Sequence, residues 1–237
     1  MPSSILFPNF DRIEPSSHFF ADVKYDFLPL YENDYFKPNN RPAIYIYRID
    51  TQQRFYQGIT AAVPIEAYWK GDIKGHEGTL EMKEKQQLDL LKERKAQIKP
   101  VLLTYATVPA IENWILKQQS NRPFIHFKQG ENKHTIWEVH QAEQIADIQQ
   151  LFAEQVVQTY IADGHHRTTI TAKYAEEIGQ PLHLYCTLFS SSQVEILSFN
   201  RVVEGIPERN LEGLIKHLSN WCMIEPSKIS ICQQSIV

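Results

Sequence analysis

The residues with the most chemical potential stand together as Asp163-Gly164-His165-His166-Arg167. They follow the apolar run Tyr160-Ile161-Ala162 and precede a stretch in which Ile170, Tyr174 and Ile178 recur at four-residue spacing. That pattern predicts a strand, a glycine turn and a helix starting at His165 or His166 and stopping at Gly179-Gln180-Pro181. A helix start leaves its first backbone N–H groups unpaired at the positive end of the helix dipole, which suits an anion. Gly164 lets the backbone approach a ligand closely. His165, His166 and Arg167 add donors, and an arginine can hold a phosphate through two parallel hydrogen bonds. The same residues equally suit a polar helix cap, with Asp163 at the N-cap and the histidines in solvent.

A second candidate is Lys74-Gly75-His76-Glu77-Gly78-Thr79. Gly71, Gly75 and Gly78 make it a loop, and Thr79 is placed to cap the helix after it. A His-Glu pair in such a loop is a general base, a metal ligand or a solvated turn. The third is Asn200-Arg201, polar residues at the end of the apolar run Ile196 to Phe199, where an arginine is more often a surface residue than a ligand. The other histidines have no metal-ligand spacing. No HExxH, GxxxxGK[ST], strand-borne GxGxxG or GxSxG is present, so zincin, P-loop, dinucleotide-binding and hydrolase-elbow chemistry lack their motifs.

The elements that must position these residues are legible in outline. Residues 1–42 carry Pro2, Pro8, Pro15, Pro29, Pro38 and Pro42 among many aromatics, which predicts an ordered but irregular arm without long regular elements. Residues 43–49 and 54–60 are rich in aromatic and β-branched residues and predict a hairpin. Helices are expected over residues 79–99, 110–119, 142–158 and 211–221. Strands are expected over 101–105, 123–128 and 133–139, and a strand pair over 183–189 and 194–199. Helices and strands alternate without a regular βαβ order, so the fold class is α+β: a mixed sheet with packed helices. The organisation expected is an arm over 1–42, a core over 43–203 and a C-terminal helix and strand over 204–237.

Composition limits the function classes. The 237 residues include Lys+Arg 24 against Asp+Glu 28, a net charge of −4, with 43% hydrophobic and 22% charged residues. That balance fits a chain that buries a core, and not a disordered or collagen-like one. A slightly acidic chain lacks the basic surface that general nucleic-acid binding needs. Cys186, Cys222 and Cys232 are scattered without a CxxC, so neither a disulfide framework nor a cysteine zinc site is indicated. No apolar run nears the ~20 residues of a membrane span, and residues 1–5 lack the regions of a signal peptide. The expected setting is cytoplasmic, with a small-molecule substrate, no nucleic acid and no membrane.

Together, Lys74-Gly75-His76-Glu77-Gly78-Thr79, the Lys83-Glu84 helix with Pro100-Val101-Leu102-Leu103-Thr104-Tyr105, and the segment from Tyr160 to Arg167 resemble the bacterial domain-of-unknown-function family 1015. The likeness runs in order from about Ala43 to Val203. That family looks like a distant branch of the ParB, sulfiredoxin and free serine kinase superfamily, and the resemblance implies a ParB/sulfiredoxin-like core around the Asp-Gly-His-His-Arg turn. It further implies that Asp163, Gly164, His165, His166 and Arg167 bind nucleotide phosphate and that Glu77, with His76, is catalytic. Lys74, Thr79, Asn200 and Arg201 would be substrate-side or supporting residues. The cofactors implied are Mg²⁺ and a nucleoside phosphate, either ATP, ADP or CTP. Sulfiredoxins have cysteine where His165 stands, and ParB proteins add a DNA-binding region absent here, so neither of those activities is expected. Family members are usually longer, so residues 204–237 also read as the start of a truncated region. The function implied is a nucleotide-dependent phosphotransferase acting on a small hydroxyl compound. The alternatives are a nucleotide-binding sensor without turnover and a metal-dependent hydrolase using His76, Glu77, His165 and His166.

Overall fold

The structure is a computed structural model and describes residues 5–9, 12, 17–39, 41–78, 81–196, 207–221, 223 and 224. The chain divides into two units, residues 1–195 and residues 196–237. The first is built on an eight-stranded sheet in the order β5-β9-β6-β10-β4-β3-β8-β7. Its strands are β3 (Ile44–Asp50), β4 (Phe55–Pro64), β5 (Ile73–Lys74), β6 (Val101–Tyr105), β7 (Ile125–Gln129), β8 (Asn132–Val139), β9 (Thr159–Asp163) and β10 (His183–Ser190). Most neighbours run antiparallel, but β6 pairs with β10 in parallel and so does β5 with β9. The sheet is therefore mixed and the fold α+β, as the alternation of elements predicts.

Buried positions alternate along β6, where Val101, Leu103 and Tyr105 face inward, as expected for a strand with one face on the core. They join Ile46, Ile59, Ile161 and Leu184 from other strands of the sheet. Helix α4 (Pro109–Gln118) adds Ile111, Trp114 and Ile115, and α5 (Ala142–Gln155) adds Ile148. Proline opens α4 at its first turn, where no intrahelical N–H is needed. Helix α6 (His165–Ile178) lies against α3 (Glu81–Arg94) and buries Ile170, Ala172 and Ala175.

Three expectations are corrected. The arm is not irregular: β1 (Ile5–Pro8) and β2 (Phe36–Asn39) form a two-stranded sheet, and α1 (Ser17–Glu32) lies between them. Proline is tolerated there because the helix is kinked. Asp26 leaves helical geometry at φ −111°, ψ 29°, so Pro29 falls in the first turn of a second helical segment, where its missing N–H costs nothing. Val23 and Phe27 bury their side chains against Leu6, Phe36, Ala96 and Ile98.

The second correction concerns the strand pair expected across residues 190–193. β10 lies between β6 and β4, so its hydrogen-bonding edges are already occupied. After β10 the chain forms a 3₁₀ turn at Ser191–Gln193, and residues 194–196 are not a strand. The remainder of that expected strand lies outside the described residues. Helix α3 stops at Arg94, where Lys95 takes φ +53°, well before Pro100. In the second unit, α7 (Glu208–Leu218) displays Leu211, Ile215 and Leu218 along one face. Among the described residues, no helix is long and apolar enough to cross a membrane.

Candidate functional site

Parallel pairing of β5 with β9 makes both strands end at the same edge, so the loops that follow them emerge side by side. Lys74 is paired with Tyr160, and the pairing is extended by the Thr159 N–H donating to the Asp72 carbonyl at 2.9 Å. The Gln158 side chain also donates to the Gly71 carbonyl at 2.7 Å. This short ladder holds residues 75–77 against the start of α6. Gly75 packs so closely that an added Cβ would stand 3.1 Å from Cδ2 of His165.

The turn itself runs strand, glycine, helix. Gly164 is the N-cap of α6 at φ +105°, a conformation L-side chains rarely adopt. Its carbonyl accepts the first helical bond, from the Thr168 N–H at 3.0 Å. No side-chain hydrogen bond caps α6 at Gly164, and the first backbone N–H groups of a helix have no partner within the helix itself. Asp163 is not the N-cap. Its carboxylate, 72% exposed, pairs with Arg167, whose guanidinium also donates to the Pro100 carbonyl. The guanidinium lies across Gly164, where a Cβ would meet its Cζ at 3.1 Å.

His165 is buried, and His76 is packed edge-on against it with ring centroids 4.5 Å apart. The His76 backbone N–H donates to His165 Nε2 at 3.2 Å, and His165 Nδ1 lies 3.6 Å from Glu77 Oε2. Burial lowers the pKa of His165, with His76 adding to the effect and Glu77 opposing it. Glu77 and His76 are both exposed, their side chains 3.9 Å apart. Nitrogens of His76 and His165 and a Glu77 oxygen lie within 4.8 Å of one another, near enough for one metal ion.

The sequence model described as "Protein of unknown function (DUF1015)" matches residues 6–235. The chain belongs to this family. No curated protein and no solved structure matches it.

In this DUF1015 chain the structure thus brings together His76, Glu77, Asp163, Gly164, His165 and Arg167, with His166 half-buried beside them. Lys74 is exposed on β5. Thr79, Asn200 and Arg201 lie outside the described residues. Two clefts on the surface, one around Phe7 and Arg41 and one around Arg122 and His140, include no residue of the turn. Sequence reasoning missed the Pro100 carbonyl as an arginine acceptor. It also missed the ion pair between Glu84 on α3, which is buried, and Lys173 on α6. Nothing in the sequence pairs those two, since they stand 89 positions apart. Cys186 is buried on β10, and burial pushes its thiol up to about 12 against a smaller opposing effect of Arg167, which disfavours the reactive thiolate.

Proposed function

We propose that this protein is a nucleoside-phosphate-dependent phosphotransferase acting on a small hydroxyl compound. The observation that carries the reading is the convergence of an exposed carboxylate, Glu77, on the amino end of α6 through His165. Phosphate oxygens would lie on the amides of residues 165–167, with His166 and the Arg167 guanidinium completing the cradle. The substrate hydroxyl attacks the terminal phosphorus, and the bond to the leaving nucleoside phosphate breaks. The hydroxyl proton goes to Glu77. Such transfer asks mainly for positioning and charge stabilisation from the protein.

Mg²⁺ suits the residues present, because it needs only one or two carboxylates beside the substrate phosphates, and the Asp163 carboxylate is 72% exposed. When bound, the ion would neutralise charge developing on the phosphates. The choice of nucleotide as ligand follows the resemblance of the Asp163–Arg167 turn to that of the free serine kinases, and the setting proposed is cytoplasmic, without nucleic acid or membrane.

The grouping of His76, Glu77 and His165 favours a second reading, a metal-dependent hydrolase. Calorimetric titration with ATP, ADP and CTP, with and without Mg²⁺, followed by product analysis, separates the two. Nucleotide binding with transfer to a hydroxyl supports the phosphotransferase. Binding without product supports a sensor, and tight stoichiometric zinc without nucleotide binding supports the hydrolase.

A further inference from the structure

We infer that His165 is a positioning residue, a neutral strut that aims the Glu77 carboxylate, and not a phosphate ligand or a metal ligand. The inference deepens the phosphotransferase reading and rests on it for the role of Glu77.

A backbone N–H can only donate, so the His76 amide, 3.2 Å from Nε2, requires a lone pair on that nitrogen. A neutral imidazole has one ring proton, which must then sit on Nδ1. Nδ1 is the atom facing Glu77 Oε2, so the donor is aimed at the carboxylate. Their 3.6 Å separation is longer than a direct hydrogen bond, and the Glu77 side chain, 64% exposed, has room to close it when substrate orders the loop. Gly75 is what admits the ring this close to the loop backbone, since a Cβ there would press on Cδ2.

One ring nitrogen is thereby bonded to the loop backbone at His76, and the other faces Glu77 on the adjacent residue. That leaves phosphate to the amides, His166 and Arg167. It also counts against a metal at Nδ1. Coordination there would force the ring proton onto Nε2, where it would face the His76 N–H donor to donor.

Long-range nitrogen–proton correlation spectra of the isotopically labelled full chain read the tautomer directly, without substrate. The expected result is His165 with Nδ1 protonated and Nε2 bare near neutral pH. An Nε2-protonated ring would overturn the inference. A kinetic arm tests the consequence. His165→Ala should lower kcat by ~10²-fold, the loss typical of a misplaced catalytic group, while nucleotide affinity changes by no more than about twofold. His165→Asn, whose amide can still donate toward Glu77, should recover about tenfold of that loss. A fall in nucleotide affinity with kcat preserved would instead make His165 a phosphate contact and refute the strut. Should no transfer activity exist, the phosphotransferase reading fails on its own, and the tautomer spectrum still decides how His165 is bonded.

Discussion

Arg167 has two demands on it. In the structure its guanidinium serves Asp163 and the Pro100 carbonyl, whereas the proposed reaction asks it to hold phosphate. The pair with exposed Asp163 is worth roughly 0–1 kcal/mol, and the bond to Pro100 about 1 kcal/mol. Arg167→Ala should therefore lower the melting temperature by about 2–8 °C for a chain of this size. If the guanidinium also turns to phosphate, nucleotide affinity should fall by roughly ten- to a hundredfold, and by less in Arg167→Lys, which keeps charge but not the planar fork. Calorimetry and thermal melts on both variants measure the two effects separately. A melting shift with unchanged affinity would leave Arg167 purely structural. A second residue-scale effect concerns pH. His134 is buried, with its Nδ1 2.7 Å from the Tyr47 hydroxyl, and burial lowers its pKa from 6.5 as it does that of His165. The unfolded chain then takes up protons that the folded one refuses. Stability is full above about pH 6.5 and is lost as pH falls below it. Melting curves at pH 7.5 and 5.5 should show the loss, and His134→Gln should flatten part of it.

Among the elements, the strand–glycine–helix unit from β9 to α6 matters most. Gly164→Ala would force a side chain into φ +105° and against the guanidinium, at a cost of about 1–3 kcal/mol. Denaturant melts should show that loss, with α6 lengthened or re-capped at its start. This unit was legible in the sequence because a glycine separates an apolar run from a four-residue periodicity, and Gly179 ends the helix in left-handed geometry as a C-cap glycine should. β6 and α4 were legible for similar reasons, an inward alternation and an initial proline. α1 was not, because the backbone break at Asp26 that accommodates Pro29 has no residue-type signature. The juxtaposition of Glu77 with His165 was an expectation without a visible cause. Its cause is the two-residue parallel pairing of β5 with β9, too short to read as a strand. The engagement of Arg167 was hidden because one of its partners is a backbone carbonyl.

For the whole molecule, the site stands on the rim of a sheet whose central strands, β10 and β4, bury Leu184, Leu188 and Ile59 beside the hydrogen-bonded hydroxyls of Thr60 and Thr187. Leu103 is fully buried in that core, on the strand next to β9. Leu103→Ala should cost roughly 2–5 kcal/mol in global unfolding, read from urea melts, while the loop and turn keep their local geometry. The central claim is that Glu77 and the amino end of α6 act on one substrate complex. A single-turnover assay follows the terminal phosphate of a Mg²⁺–nucleotide in wild type and in Glu77→Gln. The account predicts that the variant binds nucleotide as the wild type does but transfers phosphate about 10²–10⁴-fold more slowly. Equal transfer rates in the two proteins would contradict it.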